Sequence, residues 1–146
     1  MLRRRSTAVL NREEESIHAS LIEAIQDGRV AMIGPIRQEV LSGIKDEAQF
    51  VKLCAALGAF PDAELTTFHY EEAARLFNLC RSRGVECGAT DILICTLAIQ
   101  MQWSILTSDR GLMRSIEALR SEGFAIEAIP VGVGVVNVVP PGPDSR

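Results

Sequence analysis

Short apolar runs alternate with longer amphipathic segments along most of this chain. Residues 30–33 (VAMI) form one apolar run between Gly28 and Gly34, and residues 104–107 (SILT) form another. Runs this short, bounded by glycine or proline, favour buried strands over helices. The longer segments place apolar residues at helical spacing. Repeated strand and helix units predict right-handed crossovers and a mostly parallel sheet with helices on both faces.

The ends of the predicted helices are set by glycine, proline and polar residues. The predicted helices span approximately residues 13–26, 35–42, 50–57, 70–80, 91–101 and 112–119. Besides the two apolar runs, residues 63–67 and 125–129 are candidate strands. The resulting order of elements predicts an α/β fold.

Length and composition favour one compact domain. The chain has 146 residues, of which 47% are hydrophobic, so it can bury a substantial core. We assign residues 1–130 to this domain and expect residues 131–146, rich in valine and glycine and then in proline, to form a partly disordered tail. Every apolar stretch is shorter than the roughly 20 residues of a membrane helix, so we expect no spanning segment.

Charge and cysteine usage exclude two classes of protein. The net charge of −4 is not that of a polycation that coats nucleic acid, so any contact with nucleic acid must be local. The four cysteines contain no CxxC pair, and His18 and His69 lie far apart in the sequence, which argues against a zinc site. Isolated cysteines on apolar faces are typical of a reducing compartment, which predicts a cytoplasmic protein.

Two acids, Glu39 and Asp109, follow predicted strands, and open α/β sheets bind ligands beyond the carboxyl ends of their strands. Asp109 directly follows the second apolar run. Glu39 lies about one and a half helical turns after the first run, and Asp91 heads the helix between them. Carboxylates brought together repel each other, and a hard cation such as Mg²⁺ resolves the conflict. Such a cation can activate water for phosphodiester cleavage.

Each of these acids also has a purely structural interpretation. Asp91 and Asp109 each stand where a helix N-cap is expected, and Glu39 alone fits a solvated helix position. Arginines near the acids are candidates for phosphate contacts, although isolated arginines are usually solvated charges. These arginines are residues 3–5, Arg81, Arg83, Arg110 and Arg114. Of this group we favour Arg110.

Three motifs together resemble a known family. They are GPIRQEVLSGI at residues 34–44, TDILIC at residues 90–95 and LTSDR at residues 106–110. In this order and spacing the chain, up to about residue 120, resembles a PIN domain of the VapC toxin type. The resemblance implies a three-layer α/β/α sandwich and Mg²⁺- or Mn²⁺-dependent endoribonuclease activity. It also implies a homodimer and a small VapB-like antitoxin as partner.

The same resemblance assigns roles to the three acids. It makes Glu39 the acid of the first helical hairpin, Asp91 the acid that opens the central helix and Asp109 the acid after the fourth strand. It implies that all three are catalytic and metal-binding. The leading hypothesis is therefore a VapC-like endoribonuclease.

The chain departs from the family pattern near its start. The family begins with a strand that ends in an aspartate of the metal site, and that aspartate is missing here. Residues 2–7 (LRRRST) resemble the segment just after that motif, at the start of the first helix. We expect a missing first strand, and an alternative alignment places residues 6–9 on the motif with serine replacing aspartate. Gly111 stands where many relatives have a further acid. Residues 131–139 are a candidate to pair with strand edges left open by a missing strand.

The missing aspartate keeps a second hypothesis open. In it, the chain is a catalytically impaired module that retains the dimer and antitoxin surfaces of the family. A phosphoacceptor domain of the receiver type is disfavoured, because that chemistry needs a lysine late in the chain and the only lysines are Lys45 and Lys52.

Overall fold

The computed structural model describes residues 29–107 and 109–129 and the backbone of residues 137–139. This part of the chain contains five helices and three short strands. In chain order they are α1 (Gly34–Leu41), α2 (Glu47–Leu57), α3 (Thr67–Ser82), α4 (Ala89–Met101), β1 (Ser104–Leu106), α5 (Arg110–Ser121), β2 (Ala128–Ile129) and β3 (Asn137–Val139). The arrangement confirms the predicted α/β class. The helix predicted at residues 13–26 lies outside the described residues.

The sheet of the described chain has β1 at its centre. β2 pairs with β1 in parallel, and β3 pairs with its other edge in antiparallel orientation. Ile105 is opposite Ala128 on one side and Val138 on the other. Three residues of the valine-rich 131–139 segment therefore pair with the sheet. The candidate strand at 125–129 is shorter than predicted, because only its last two residues pair with β1.

The apolar run at residues 30–33 is extended and buried, as predicted. Met32 forms a parallel bridge with Asp62, in which the Met32 amide donates to the Pro61 carbonyl at 2.9 Å and the Ala63 amide donates to the Met32 carbonyl at 2.6 Å. The run leads directly into α1, where Pro35 occupies the first turn without losing a needed hydrogen bond. This connection fixes the start of α1, the helix that carries Glu39.

The strand expected at residues 63–67 does not form, and only the bridge at Asp62 is present. The chain turns into α3 at Thr66 instead, whose backbone amide donates to His69 Nδ1 at 3.0 Å. This bond satisfies one of the donors exposed at a helix start and so favours the helix over continued extension. The rest of α3 follows the predicted apolar spacing.

Helix α4 is the centre of the core. Residues 92–98 are all buried, and the helix packs against α3, α5 and β1. Its apolar residues surround the axis, as expected for a helix covered on every side. At its C-terminus Gln102 adopts a left-handed conformation with φ of 55°. The buried α4 provides a rigid base for Asp91, which lies in its first turn. Within the described part of the chain, no helix is both long and apolar enough to cross a membrane.

Candidate acidic active site

Asp109 is the N-cap of α5. Its Oδ1 accepts hydrogen bonds from the Gly111 amide at 2.6 Å and the Leu112 amide at 3.2 Å. The Asp109 amide donates to Oγ1 of the buried Thr107 at 2.9 Å, which fixes the turn between β1 and α5. The structural interpretation of Asp109 is therefore confirmed. The capping bonds use one carboxylate oxygen, Oδ1, and leave Oδ2 without a hydrogen bond to the described residues.

Asp91 is held differently. The N-cap of α4 is Gly88, so the prediction that Asp91 caps this helix is wrong. A β-carbon built on Gly88 would lie 3.2 Å from Asp91 Oδ2, which shows that the carboxylate folds back over the helix start. The absence of a side chain at Gly88 provides the space. Among the described residues, none donates a hydrogen bond to Asp91 or pairs with its charge.

Burial raises the pKa of Asp91 above its usual value, and the charges of Asp109 and Glu39 raise it further. A carboxylate in the first turn of a helix is normally favoured by the helix dipole. At Asp91 desolvation and repulsion between like charges outweigh that benefit. The three predicted acids thus lie near enough to one another for the charges of Asp109 and Glu39 to act on Asp91. Asp91 is the member that carries the cost.

Glu39 lies on α1 with an exposed side chain. The position of α1 is fixed by Arg37, two residues before Glu39, whose guanidinium binds the last residue of α2 and the segment after it. Arg37 Nε pairs with Asp62 Oδ1 at 2.9 Å, and its two terminal nitrogens donate to the carbonyls of Leu57 at 3.1 Å and Phe60 at 2.7 Å. Three bonds from one planar group hold α1 in place. Arg37 thus positions the helix that carries Glu39.

Gly111 lies between the two aspartates. A β-carbon built on it would lie 3.1 Å from Asp109 Oδ1 and 3.8 Å from Asp91 Oδ2. It would also lie 3.9 Å from Arg114 Nη2, so this guanidinium is beside the acids. Both Arg114 and the favoured Arg110 are exposed, and neither has a hydrogen bond or ion pair with the described residues. The contact around Gly111 therefore identifies Arg114 as an additional candidate beside Arg110.

The donor set formed by Glu39, Asp91 and Asp109 can be compared with the ligands that a divalent cation needs. It consists of carboxylate oxygens, which suit Mg²⁺ or Mn²⁺, and Asp91 is a half-buried carboxylate that forms no ion pair with the described residues. Among the described residues, no group of three or more acidic, histidine or cysteine side chains lies close enough together to hold a metal. The chemistry of the acids fits such a cation, and binding requires them to draw closer together.

An apolar groove lies beside the acids, between α3 and α4. It has a volume of about 420 Å³. Tyr70, Phe77, Thr90 and Leu93 are among the residues that line it. Thr90 directly precedes Asp91, so the groove and the acidic site share the start of α4. Tyr70 is half exposed at the edge of the groove.

Sequence reasoning found the three acids and missed the residues that position them. Gly88 makes room for Asp91, Thr107 fixes the turn before Asp109, and Arg37 anchors α1. Thr107 had a readable signal, since a threonine two residues before an aspartate often accepts its amide in a turn. Arg37 had none, because its partners lie more than 19 residues away along the chain.

The chain is similar to a known protein family. Residues 6–118 match the model of the PIN domain, a family whose members are generally metal-dependent nucleases. Neither curated proteins nor solved structures give a significant match to the chain. The family match covers most of the 146 residues and spans Glu39, Asp91 and Asp109. The chain therefore belongs to the PIN domain family.

Proposed function

We propose that this PIN domain is an endoribonuclease of the VapC toxin type that depends on Mg²⁺ or Mn²⁺. The observation that carries the proposal is Asp91, a half-buried carboxylate that forms no ion pair with the described residues and whose pKa is raised by burial and by the charges of Asp109 and Glu39. Acids whose pKa is raised by burial and by neighbouring like charges cluster at functional sites. The three-layer sandwich of the family and a homodimer belong to the same proposal.

A divalent cation would remove the repulsion among the acids. Asp91 and the unused oxygen of Asp109 would hold it, and Glu39 would complete the set of protein ligands. When bound, the cation lowers the pKa of a water molecule and neutralises charge that develops on a phosphate. Carboxylate oxygens without histidine or cysteine select Mg²⁺ or Mn²⁺ rather than zinc.

The protein side chains supply position and charge around that cation. Capping bonds from Gly111 and Leu112 hold the Asp109 carboxylate in one orientation, and the buried α4 holds the start of the helix that carries Asp91. Arg114, beside both acids, is suited to bind a phosphate of the RNA backbone, because guanidinium groups match phosphate geometry. Arg110 is a second such candidate at the start of α5.

Incubation of purified protein with RNA and Mn²⁺ tests the proposal. We expect cleavage that requires the metal and falls at least about 100-fold in Asp91→Asn, since even residues outside the ligand set cost 10–100-fold in metal sites. Single-stranded DNA serves as a second substrate to establish preference for RNA. Cleavage that persists unchanged in Asp91→Asn would contradict the proposal.

Asp46→Asn is the matched control for this experiment. Asp46 is the N-cap of α2, its side chain accepts from the Gln49 amide at 3.1 Å, and asparagine caps helices equally well. Its charge is not among those that raise the pKa of Asp91. We therefore expect Asp46→Asn to cleave RNA at the rate of the unmodified protein.

The groove between α3 and α4 favours a second candidate function. In it, the chain is a catalytically impaired domain that binds an antitoxin, and its apolar groove accepts an apolar segment of that VapB-like partner. Tyr70 and Phe77 supply apolar surface that phosphodiester cleavage does not need. Co-purification with an antitoxin encoded by a neighbouring gene, lost in Phe77→Asp, would support this function. RNA cleavage that depends on Asp91 would exclude catalytic impairment.

A further inference from the structure

A second cleft lies at the end of β1 that is opposite the acids. Its volume is about 710 Å³, and it is bordered by the C-terminal ends of α4 and α5 and by the loop before β2. Trp103 and Phe124 supply its aromatic surface, and both are partly buried. Trp103 precedes β1 whereas Asp109 follows it, so the strand separates the cleft from the acidic site. The proposed nuclease reaction does not use this cleft.

The walls of the cleft are held by hydrogen bonds within the protein. Gln102 ends α4 in a left-handed conformation, and the Trp103 amide donates to the Ala98 carbonyl at 3.0 Å. On another wall, Nε and Nη2 of Arg120 donate to the Ile126 carbonyl at 2.9 and 2.6 Å. All of these bonds join one wall residue to another. The shape of the cleft is therefore set by the fold.

The two charged side chains that line the cleft already make hydrogen bonds. Arg120 donates to the Ile126 carbonyl, and Glu127 Oε2 accepts from the Ser104 hydroxyl at 2.9 Å. An occupant therefore needs no charge of its own. The negative charge of Glu127 disfavours a phosphate or another anion. An uncharged apolar segment that packs on the aromatic rings suits this surface best.

The end of β3 directs the chain to this cleft. β3 runs antiparallel to β1, with Val139 opposite Ser104. Each step forward along β3 is a step backward along β1, so continuation of this register brings Pro140 level with Trp103. Trp103 is one of the residues that line the cleft. The residues that follow β3 in the sequence therefore begin beside the cleft.

The sequence after β3 has the chemistry that the cleft requires. Residues 140–143 (PPGP) are uncharged, and residues 140–146 lie outside the described part of the chain. Proline has no amide hydrogen and cannot extend the ladder, and successive prolines favour the polyproline II conformation. Four residues in that conformation extend about 9 Å, close to the width of about 9 Å that a cavity of 710 Å³ has if it is equally wide in every direction. Such segments dock in grooves lined by aromatic side chains.

We propose that the cleft at Trp103 is the docking site for residues 140–143 of the same chain, with proline rings packed on the Trp103 indole. β3 contributes only three residues to the sheet, and so short a strand makes few hydrogen bonds of its own. Docking of the residues that follow β3 anchors it at the edge of β1. The interaction requires neither RNA nor a metal, so it does not depend on the nuclease proposal.

The fluorescence of Trp103 tests the docking, because this residue is the only tryptophan of the chain. Full-length protein is measured in chelator. A variant that combines Pro140→Ser, Pro141→Ser and Pro143→Ser should raise the acrylamide quenching constant of Trp103 about twofold, since the indole loses the atoms that shield it from water. Its emission should shift to longer wavelength, and hydrogen exchange at residues 137–139 should become faster.

Ser145→Ala combined with Arg146→Ala is the matched control, because both residues lie past the last proline. This variant should change neither the quenching of Trp103 nor the exchange of β3. Unchanged quenching in the proline variant would mean that another segment, such as residues 1–28, or a partner covers the indole. That result would overturn the proposal.

A photoreactive benzophenone group introduced at residue 142 identifies the contact directly. Irradiation should link it, within a single chain, to the tryptic peptide of residues 84–110, which contains Trp103. The same group at residue 146 should not form this link. A link between two chains would show that a second copy provides the occupant, and it would overturn the proposal, as would the absence of any link to this peptide. The three prolines are intact in this experiment, so its result stands even where the proline variant folds poorly.

Discussion

The starts of α4 and α5 each carry one acid of the site, and the two acids are stabilised in opposite ways. Asp109 precedes α5 as its N-cap, with two backbone amides on one oxygen. Asp91 lies inside the first turn of α4, partly buried, with no hydrogen bond from any described residue. One carboxylate contributes to the fold, whereas the other costs it free energy.

The two acids therefore differ in their structural role, although their sequence motifs are alike. Both acids follow a threonine or serine and precede an apolar helix, so either could cap it. A glycine takes the cap position of α4, and this leaves the Asp91 carboxylate available to a cation. An acid that is retained at a cost to stability points to function more strongly than one that caps a helix.

Binding of a cation by both acids should stabilise the protein, because the charge of Asp91 would then be neutralised. Of the effects on stability predicted here, we expect this one to be the largest. Mn²⁺ at about 100 times its dissociation constant should raise the free energy of unfolding by about 2.7 kcal/mol. Both Asp91→Asn and Asp109→Asn should lose most of this gain, because each removes a ligand. Urea unfolding with Mn²⁺ and with a chelator measures it.

Asp46→Asn controls for nonspecific metal effects and should keep the full gain. An equal gain in Asp91→Asn and in the unmodified protein would mean that Mn²⁺ binds elsewhere. Loss of the gain in Asp91→Asn alone would show that Asp109 serves only as a cap.

The substitution Asp109→Ala should have the next largest effect on stability. Loss of the two capping bonds should cost about 1 kcal/mol in the metal-free protein, whereas Asp109→Asn should cost little, because asparagine also caps helices. Asp91→Ala removes no cap and should not show this loss. Unfolding in chelator measures all three variants. If Asp109→Asn is destabilised as much as Asp109→Ala, the charge of Asp109 and not its hydrogen bonding stabilises α5.

Local pattern predicted the helices and part of the sheet. Periodic apolar residues with glycine or proline at the ends located α1 to α5, because these signals act within one or two turns. The expected strand at residues 63–67 failed because the bond between Thr66 and His69 starts α3 there. The pairing of β3 with β1 needed the folded chain, since short valine-rich segments do not encode their neighbour.

The site was predictable only in part for the same reason. Glu39, Asp91 and Asp109 come from three separate segments, and family resemblance rather than spacing grouped them. Their unequal environments depend on Gly88 and on tertiary burial, which no local pattern reveals. Arg114 lies near the acids because it comes three residues after Gly111 and so shares one face of α5 with it. That spacing becomes informative only when the structure shows that Gly111 lies between the two aspartates.

The smallest effect concerns the metal-free cost of Asp91 itself. Its pKa in the folded protein lies above the usual value of 3.8, so the folded state holds the proton more tightly than the unfolded chain. The stability cost is absent well below pH 3.8, grows as the pH rises from there through the raised pKa, and is complete above that pKa. Asp91→Asn should therefore stabilise the metal-free protein at pH 7, by less than about 1 kcal/mol.

Urea unfolding in chelator at pH 7 and near pH 4 measures this effect in both proteins. The advantage of Asp91→Asn should shrink toward pH 4, because the cost disappears as the carboxyl becomes protonated in both the folded and the unfolded chain. Glu39→Gln is the matched comparison, because it removes one of the charges acting on Asp91 while leaving that carboxylate in place, and it should give a smaller gain. Destabilisation by Asp91→Asn at pH 7 would mean that the carboxylate stabilises the fold, and the contrast between the starts of α4 and α5 would then fail.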